Sequence, residues 1–432
     1  MTDATANGKP QMLTTADGKP LKEALNRAQA RARRKAFLLV LPLLAFILIT
    51  FVTPIAQMLH QSVYNEGFVM HEDIGSGGRT PIMTNIKTWF DENPAGTEPN
   101  EEAFAALHKD FLLLRELRAP GQVGTRVNYE RGGSRSMFTK TARRAERMEA
   151  PYMEAFLDVD EEWTDPELWR VMRDASSAYT FNFYLAALDR TKNVDGEIVN
   201  VDENRQIYVK LFARTLFLSV LITFLTFLLG YPIAHLLATL PLRYSNLLMI
   251  FVLLPFWTSL LVRTTSWMVL LQSQGVVNDA LVGMGLLGDE NRLQMMYNQI
   301  GTVVAMTHIL LPFMVLPLYS VMRPINPSYV RAARSLGATS WTAFRRIYFP
   351  QTVPGIGAGA LLVFILAVGY YITPALVGGA DGQLISNLIA FHMQNSLNWS
   401  LAAALAALLL AGILILYWLY DRLIGIDNLK LG

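Results

Sequence analysis

Six stretches of this chain are long and apolar enough to cross a lipid bilayer, and together they hold a single Asp, Glu, Lys or Arg, which is Arg263. A hydrocarbon core of about 30 Å needs roughly 20 helical residues per crossing. The stretches are 36–60, 216–240, 247–271, 301–322, 355–377 and 399–420. Backbone in lipid must satisfy its own hydrogen bonds, so each is read as a helix. The pattern predicts an all-α integral membrane protein with six transmembrane helices. Composition agrees, since 17% of residues are charged against about 25% in a soluble domain. The absence of cysteine excludes disulfide scaffolds and thiolate metal sites. A net charge of +2 gives no reason to expect nucleic acid. The 35 residues before the first stretch are too many for a signal peptide.

Basic flanks set the expected orientation. Residues 1–35 hold eight Lys/Arg against three acids. The connection after the fourth stretch holds Arg323, Arg331, Arg334, Arg345 and Arg346 with no acid, whereas that after the third holds Asp279, Asp289 and Glu290 against Arg292. Both termini are therefore expected in the cytoplasm, with residues 61–209 outside. The expected organisation is a basic tail at 1–35, a first span at 36–60, an extracytoplasmic insertion at 61–209, a five-helix core at 210–425 and a cytoplasmic end at 426–432. Residues 1–30 read as a solvated, disordered tail.

The insertion carries 26 acids and 17 basic residues, a net of −9. Residues 100–117 read as a helix capped by Asn100, and 167–188 as another with Leu168, Val171, Met172 and Ala175 on one face. Residues 120–136, rich in Gly and Arg, read as loop. The acidic run at 158–167 lacks the glycine of a calcium loop and reads as a solvated helix start. No phosphate-cradling Gly-Lys-Ser/Thr loop occurs in the sequence.

Residues 326–350 read NPSYVRAARSLGATSWTAFRRIYFP. Asn326 caps a short helix, Pro327 suits its first position, and Gly337 ends it. Ser340 is expected to cap a second helix and Pro350 to stop it. On physical grounds alone this is either an amphipathic turn in the headgroups or a docking site for a soluble partner.

The segment resembles the signature of the permease subunits of binding-protein-dependent ABC importers: Glu-Ala-Ala, three residues, Gly, nine residues, Ile-x-Leu-Pro. Here Arg331-Ala332-Ala333, Gly337 and Ile347-Tyr348-Phe349-Pro350 keep the spacing, with Arg331 in place of Glu and Phe349 in place of Leu. The resemblance implies a docking loop at 323–354, with Arg331, Ala332, Ala333, Ser335, Leu336, Gly337 and Ala338 meeting a cytoplasmic ATPase. It also implies an ATPase dimer that binds ATP and Mg, a second permease subunit, a periplasmic solute-binding protein and a multi-pass place in the bacterial inner membrane. The chain itself is then neither an enzyme nor a cofactor binder. Residues 253–267, 365–379 and 386–405 resemble the spermidine/putrescine class of these permeases. That resemblance implies a polyamine as cargo. Alternatives are another small organic solute, a secondary transporter or a membrane-anchored receptor.

Within the spans, Arg263 is either functional or a cap for neighbouring carbonyls. Trp257, Trp267, Tyr370 and Tyr371 are candidates for cation–π contact with a cationic solute, or else interface and packing aromatics. Pro232, Pro255, Pro312, Pro317 and Pro374 are hinges or static features. His60, His235 and His308 have no metal-ligand spacing and read as ordinary membrane residues.

Overall fold

A computed structural model describes residues 21–73, 77–193 and 195–424, in two compact units, 1–60 and 61–432. The expected end at 426–432 and the first twenty residues of the expected tail lie outside the described residues. In the first unit, Leu21–Ile47 is helical, so residues 21–30 are not an irregular tail. A π-turn at Leu48–Val52 precedes Pro54 and leads into helix Thr53–Gln61.

The second unit begins with the polar block. Its core is a cluster of buried side chains that includes Phe104, Phe111, Phe138, Phe156, Trp163 and Trp169. Each such aromatic contributes about 1.5–3 kcal/mol by leaving water. The indole of Trp163 donates to Thr141 Oγ1 at 3.1 Å and that of Trp169 to the Trp163 carbonyl at 2.7 Å. Helix Glu101–Glu116 starts as its sequence suggests, with the Asn100 side chain accepting from Ala103 N–H. Two other readings are corrected. Residues 120–136 are not loop: Pro120–Asn128 is a helix and the next begins at Ser134. Gly124 sits there because a Cβ would lie 2.9 Å from Phe138 Cβ, so the glycine marks a close helix crossing rather than a turn. The expected helix 167–188 is two, Pro166–Ser176 and Asn182–Ala187. Asp160 and Asp165 of the acidic run cap the turn Glu161–Thr164 and helix Pro166–Ser176. Two short antiparallel hairpins, Met70–Glu72 with Arg79–Pro81 and Arg190–Lys192 with Ile198–Asn200, qualify the all-α expectation.

Among the described residues, five helices are long and apolar enough to cross a membrane: Gln29–Gln61, Tyr208–Thr239, Gln299–Met322, Ser340–Gly369 and Trp399–Arg422. A sixth exists if the pair Leu242–Trp257 and Leu260–Gly283, bent by 99°, counts as one span. The single helix expected at 247–271 is thus broken. Pro255 lacks an N–H, and Ser259 Oγ accepts from Val262 N–H to start the next helix. The stretch 355–377 is broken too. Its helix ends at Gly369, and Ile372–Val377 is a separate short helix. Pro374 cannot donate to the carbonyl four residues back, and that Tyr370 carbonyl accepts from Ser386 Oγ at 2.6 Å instead.

The long helix Tyr208–Thr239 packs on Gln299–Met322 and Phe349–Gly369 around Leu218, Ile222, Met306, Leu310, Met314 and Val363. Its N-terminus is held by Asp189 of the polar block, whose carboxylate accepts the N–H groups of Ile207, Tyr208 and Val209 at 2.8–3.1 Å. Its C-terminal carbonyls at Ala238 and Leu240 accept from the Arg323 guanidinium at 2.8 and 3.1 Å. Orphan groups at both ends are thereby satisfied. The block also packs on the start of the last helix, where Phe183 and Ala187 meet Leu401, Ala404 and Leu405. The Tyr129 hydroxyl donates to the Leu397 carbonyl at 3.1 Å. The block and the 326–350 loop therefore lie at opposite ends of a helix about 48 Å long at 1.5 Å per residue.

Candidate functional site

The loop is built as a helical hairpin. Asn326 Oδ1 accepts from Ser328 N–H, Pro327 opens helix Pro327–Ser335, and Gly337 takes φ +89°. Ala338 N–H donates to the Ala333 carbonyl at 3.1 Å and Gly337 N–H to that of Arg334 at 3.0 Å. This pair of bonds is the Schellman closure, and it requires a left-handed residue at 337. It gives the spacing from Ala333 to Gly337 a backbone reason. The second turn is capped by Thr339, whose hydroxyl accepts from Thr342 N–H, not by Ser340. Pro350 does not stop it. A π-turn at Phe344–Tyr348 leads straight into helix Phe349–Gly369, so the helical backbone is continuous through Pro350 and the π-turn falls where the proline removes an N–H from the ladder.

Leu336, at the hairpin tip, is 89% exposed, and Trp341 is 68% exposed. Arg331, Ala332, Arg334, Ser335 and Gly337 are exposed, while Ala333 and Ala338 are half-buried. Behind this surface an aromatic ladder joins the loop to the long helix. Trp341 stacks on Phe344 at 5.7 Å, Phe344 meets Tyr231 edge-on at 6.2 Å, and Tyr348 meets His235 edge-on at 5.0 Å. Sequence reasoning missed Tyr231 and left His235 as an ordinary membrane residue. Their four-residue spacing on one helical face was the available signal.

The residues singled out within the spans divide between the two helix breaks. At the first, the Arg263 guanidinium donates to the carbonyls of Pro255 and Thr258, the latter at 3.1 Å. The Pro255 carbonyl also accepts from Thr258 N–H at 3.3 Å and Thr258 Oγ1 at 2.9 Å, so Arg263 shares that carbonyl and caps the Thr258 one at the bend. Trp267 Nε1 donates to His308 Nδ1 at 3.0 Å, tying the same helix to Gln299–Met322. Trp257 ends the first half of this broken pair, with its side chain 73% exposed. At the second break, the Tyr371 carbonyl accepts from Asn387 Nδ2 at 2.7 Å, beside the Ser386–Tyr370 bond. Thr264 and Thr373 hydroxyls lie 3.1 Å apart and join the two breaks. Arg263, Trp267, Tyr370 and Tyr371 thus belong to one pair of packed, interrupted helices. Irregular backbone at membrane depth is tolerated where protein buries it or where it lines a cavity. No cluster of metal-ligating side chains occurs among the described residues.

Long apolar helices, two polar-capped breaks and a basic hairpin define a polytopic membrane protein. The model of the family described as binding-protein-dependent transport system inner membrane component matches residues 211–424. The spermidine/putrescine transport system permease protein PotB of Salmonella typhimurium (strain SL1344) is 34% identical over 222 residues, covering 51% of this chain and 77% of that protein. The inner membrane ABC transporter permease protein YdcU of Escherichia coli (strain K12) is 32% identical over 206 residues, covering 44% and 64%. A crystal structure of a bacterial alginate ABC transporter, in complex with an alginate pentasaccharide-bound periplasmic protein, aligns with a TM-score of 0.44. Its sequence identity is 19%, and the alignment covers 54% of this chain and 85% of that one. The chain belongs to the family of binding-protein-dependent transport system inner membrane components; it is a permease subunit of an ABC importer. The polar block lies outside the matched residues.

Proposed function

We propose that the chain forms half of a translocation pathway for a polyamine such as putrescine or spermidine. The observation that carries the cargo is the 34% identity to PotB over 222 residues. In this reading six spans place the termini and the 326–350 hairpin in the cytoplasm and residues 61–209 outside. A second permease subunit completes the path, a solute-binding protein delivers the cargo, and an ATPase dimer holding ATP and Mg drives it. Arg331, Ala332, Ala333, Ser335, Leu336, Gly337 and Ala338 dock on that ATPase. Closure of the dimer moves the hairpin, the aromatic ladder carries the movement to the long helix, and the path reopens on the other face. Tyr370, Tyr371 and Trp257 offer weak ring contacts to a cation, about 0.5–2 kcal/mol each. Weak holding suits a path that must release its cargo.

Proteoliposomes carrying the assembled transporter, with binding protein supplied, test the reading by uptake of labelled putrescine and spermidine. Tyr371→Ala should reduce uptake more than basal ATP hydrolysis. Import of a neutral or anionic solute instead would move the cargo to another small organic solute. The positive charge of Arg263 beside the breaks, with no Asp or Glu in the apolar stretches, favours that second reading.

A further inference from the structure

A cavity of about 790 Å³ opens between the first helix of the hairpin and the C-terminal end of the long helix. That volume lies in the range of small-molecule sites. Its charged lining residues are Arg323 and Arg331, and no described Asp or Glu lines it. The Arg323 guanidinium lies in the wall, because its Nη1 donates to the carbonyls of Ala238 and Leu240, which line the cavity as well. Its Nε and Nη2 bond no described residue and remain open to solvent. Arg331 is exposed and has no ion-pair partner among the described residues. It shares a helical face with Pro327 and Val330, both in the lining, whereas Arg334 lies off the lining. The Glu of the importer signature at this place would set both signs in the wall, and Arg331 leaves its charge purely basic. Asn326 accepts from Ser328 N–H with Oδ1, which leaves its Nδ2 donors unused. The complement of such a wall of donors is an oxyanion.

The height of the cavity in the membrane points to the source of that oxyanion. Thr239, Met322 and Ser340 line it, and each is the terminal residue of a helix long and apolar enough to cross a bilayer. A cavity at three span ends opens among lipid headgroups. Basic pockets between transmembrane helices hold anionic headgroups. We propose that this cavity binds the phosphate of an anionic phospholipid from the leaflet on the hairpin's side. The phosphodiester oxygens accept from Arg331 and from the open N–H groups of Arg323, and the glycerol backbone packs on Ile325, Val330 and Phe344. The site rests on the span ends, not on the cargo or the ATPase proposed above. Arg331 is also among the proposed docking residues, so the test uses the chain without an ATPase.

Native mass spectrometry of the full chain in detergent, titrated with phosphatidylglycerol, tests it. Saturable binding is expected, about tenfold or more tighter than that of phosphatidylcholine, whose phosphate is offset by its own choline. Arg331→Gln, at an exposed position that the core does not use, should weaken phosphatidylglycerol binding about tenfold through the loss of one charge-assisted pair. Arg334→Gln removes an equal charge three residues on, outside the lining, and should change affinity less than about twofold. Equal losses in the two variants would reduce the binding to diffuse attraction and overturn the site. Equal binding of phosphatidylcholine would overturn the charge argument. Inorganic phosphate supplies the same oxyanion without a lipid, and its competing as well as the lipid itself would overturn the lipid source. Neither uptake nor ATP hydrolysis enters these measurements, so this proposal and the cargo fail separately.

Discussion

The guanidinium of Arg263 lies 3.1 Å from the carbonyl oxygen of Thr258, across a bend of 99° between two helices. A charge in an apolar stretch thus serves a backbone interruption directly beside it, and the interruption in turn explains the charge. Arg263→Met should lower the thermal stability of the detergent-purified protein by about 0.5–1.5 kcal/mol, the net worth of hydrogen bonds lost at a partly exposed bend. Arg263→Lys should recover part of that, since one ammonium cannot fork to two carbonyls. An unchanged melting temperature in Arg263→Met would show that the bend holds without its cap.

Gly337 carries the left-handed turn at the hairpin tip. Gly337→Pro removes both the positive φ and the N–H given to Arg334, so the second turn is re-aimed. The assembled complex should keep basal ATP hydrolysis and lose its stimulation by loaded binding protein. Gly337→Asn, which tolerates the left-handed region, should retain most of the coupling. Full stimulation in the proline variant would remove the hairpin from the coupling route.

Single cysteines report orientation cleanly, because the chain has none. Ser136 and Ser340 are exposed, whereas Ser134 is buried and unsuitable. In intact cells an impermeant thiol reagent should label Ser136→Cys and spare Ser340→Cys. The opposite pattern would invert the topology and place the basic hairpin outside.

Asp110 is buried in the polar block and accepts from Ile86 N–H, Asn85 N–H and the Asn85 side chain at 2.8–3.1 Å. Burial pushes its carboxyl above the ordinary value of 3.8, against the lowering effect of those three donors. An acid whose folded value is raised binds its proton more tightly in the folded state, so its contribution to stability falls as pH rises through that window. Asp110→Asn should flatten the slope of melting temperature against pH between the ordinary and the raised value. Identical pH profiles for the two proteins would show that Asp110 titrates alike in both states.

Sequence legibility follows the range of the interaction that decides each feature. The hairpin was readable because capping and the Schellman closure act within six residues, from Ala333 to Ala338. Pro255 and Pro374 stand out as hinge candidates, but which prolines break a span is not legible, because hydropathy averages over the stretch and is blind to where freed carbonyls find donors. At the second break those donors, Ser386 and Asn387, come from sixteen residues away. Likewise Gly124 looked like a loop marker, and the neighbour that demands it, Phe138, is set by packing between two helices. Of the aromatics, Trp267 was visible as a residue type, while its bond to His308 depended on a second helix forty-one residues on.

The long helix Tyr208–Thr239 is tethered at each end by a side chain of opposite sign, Asp189 at its amino end and Arg323 at its carboxyl end. Sliding it along its axis by even one residue's rise, about 1.5 Å, would tear charge-assisted hydrogen bonds at both tethers. Tilting or rotating as a rigid rod keeps both. If the hairpin delivers the push as proposed above, these two tethers favour its reaching the polar block as a change of angle, with the helix a rocker on fixed pins instead of a piston.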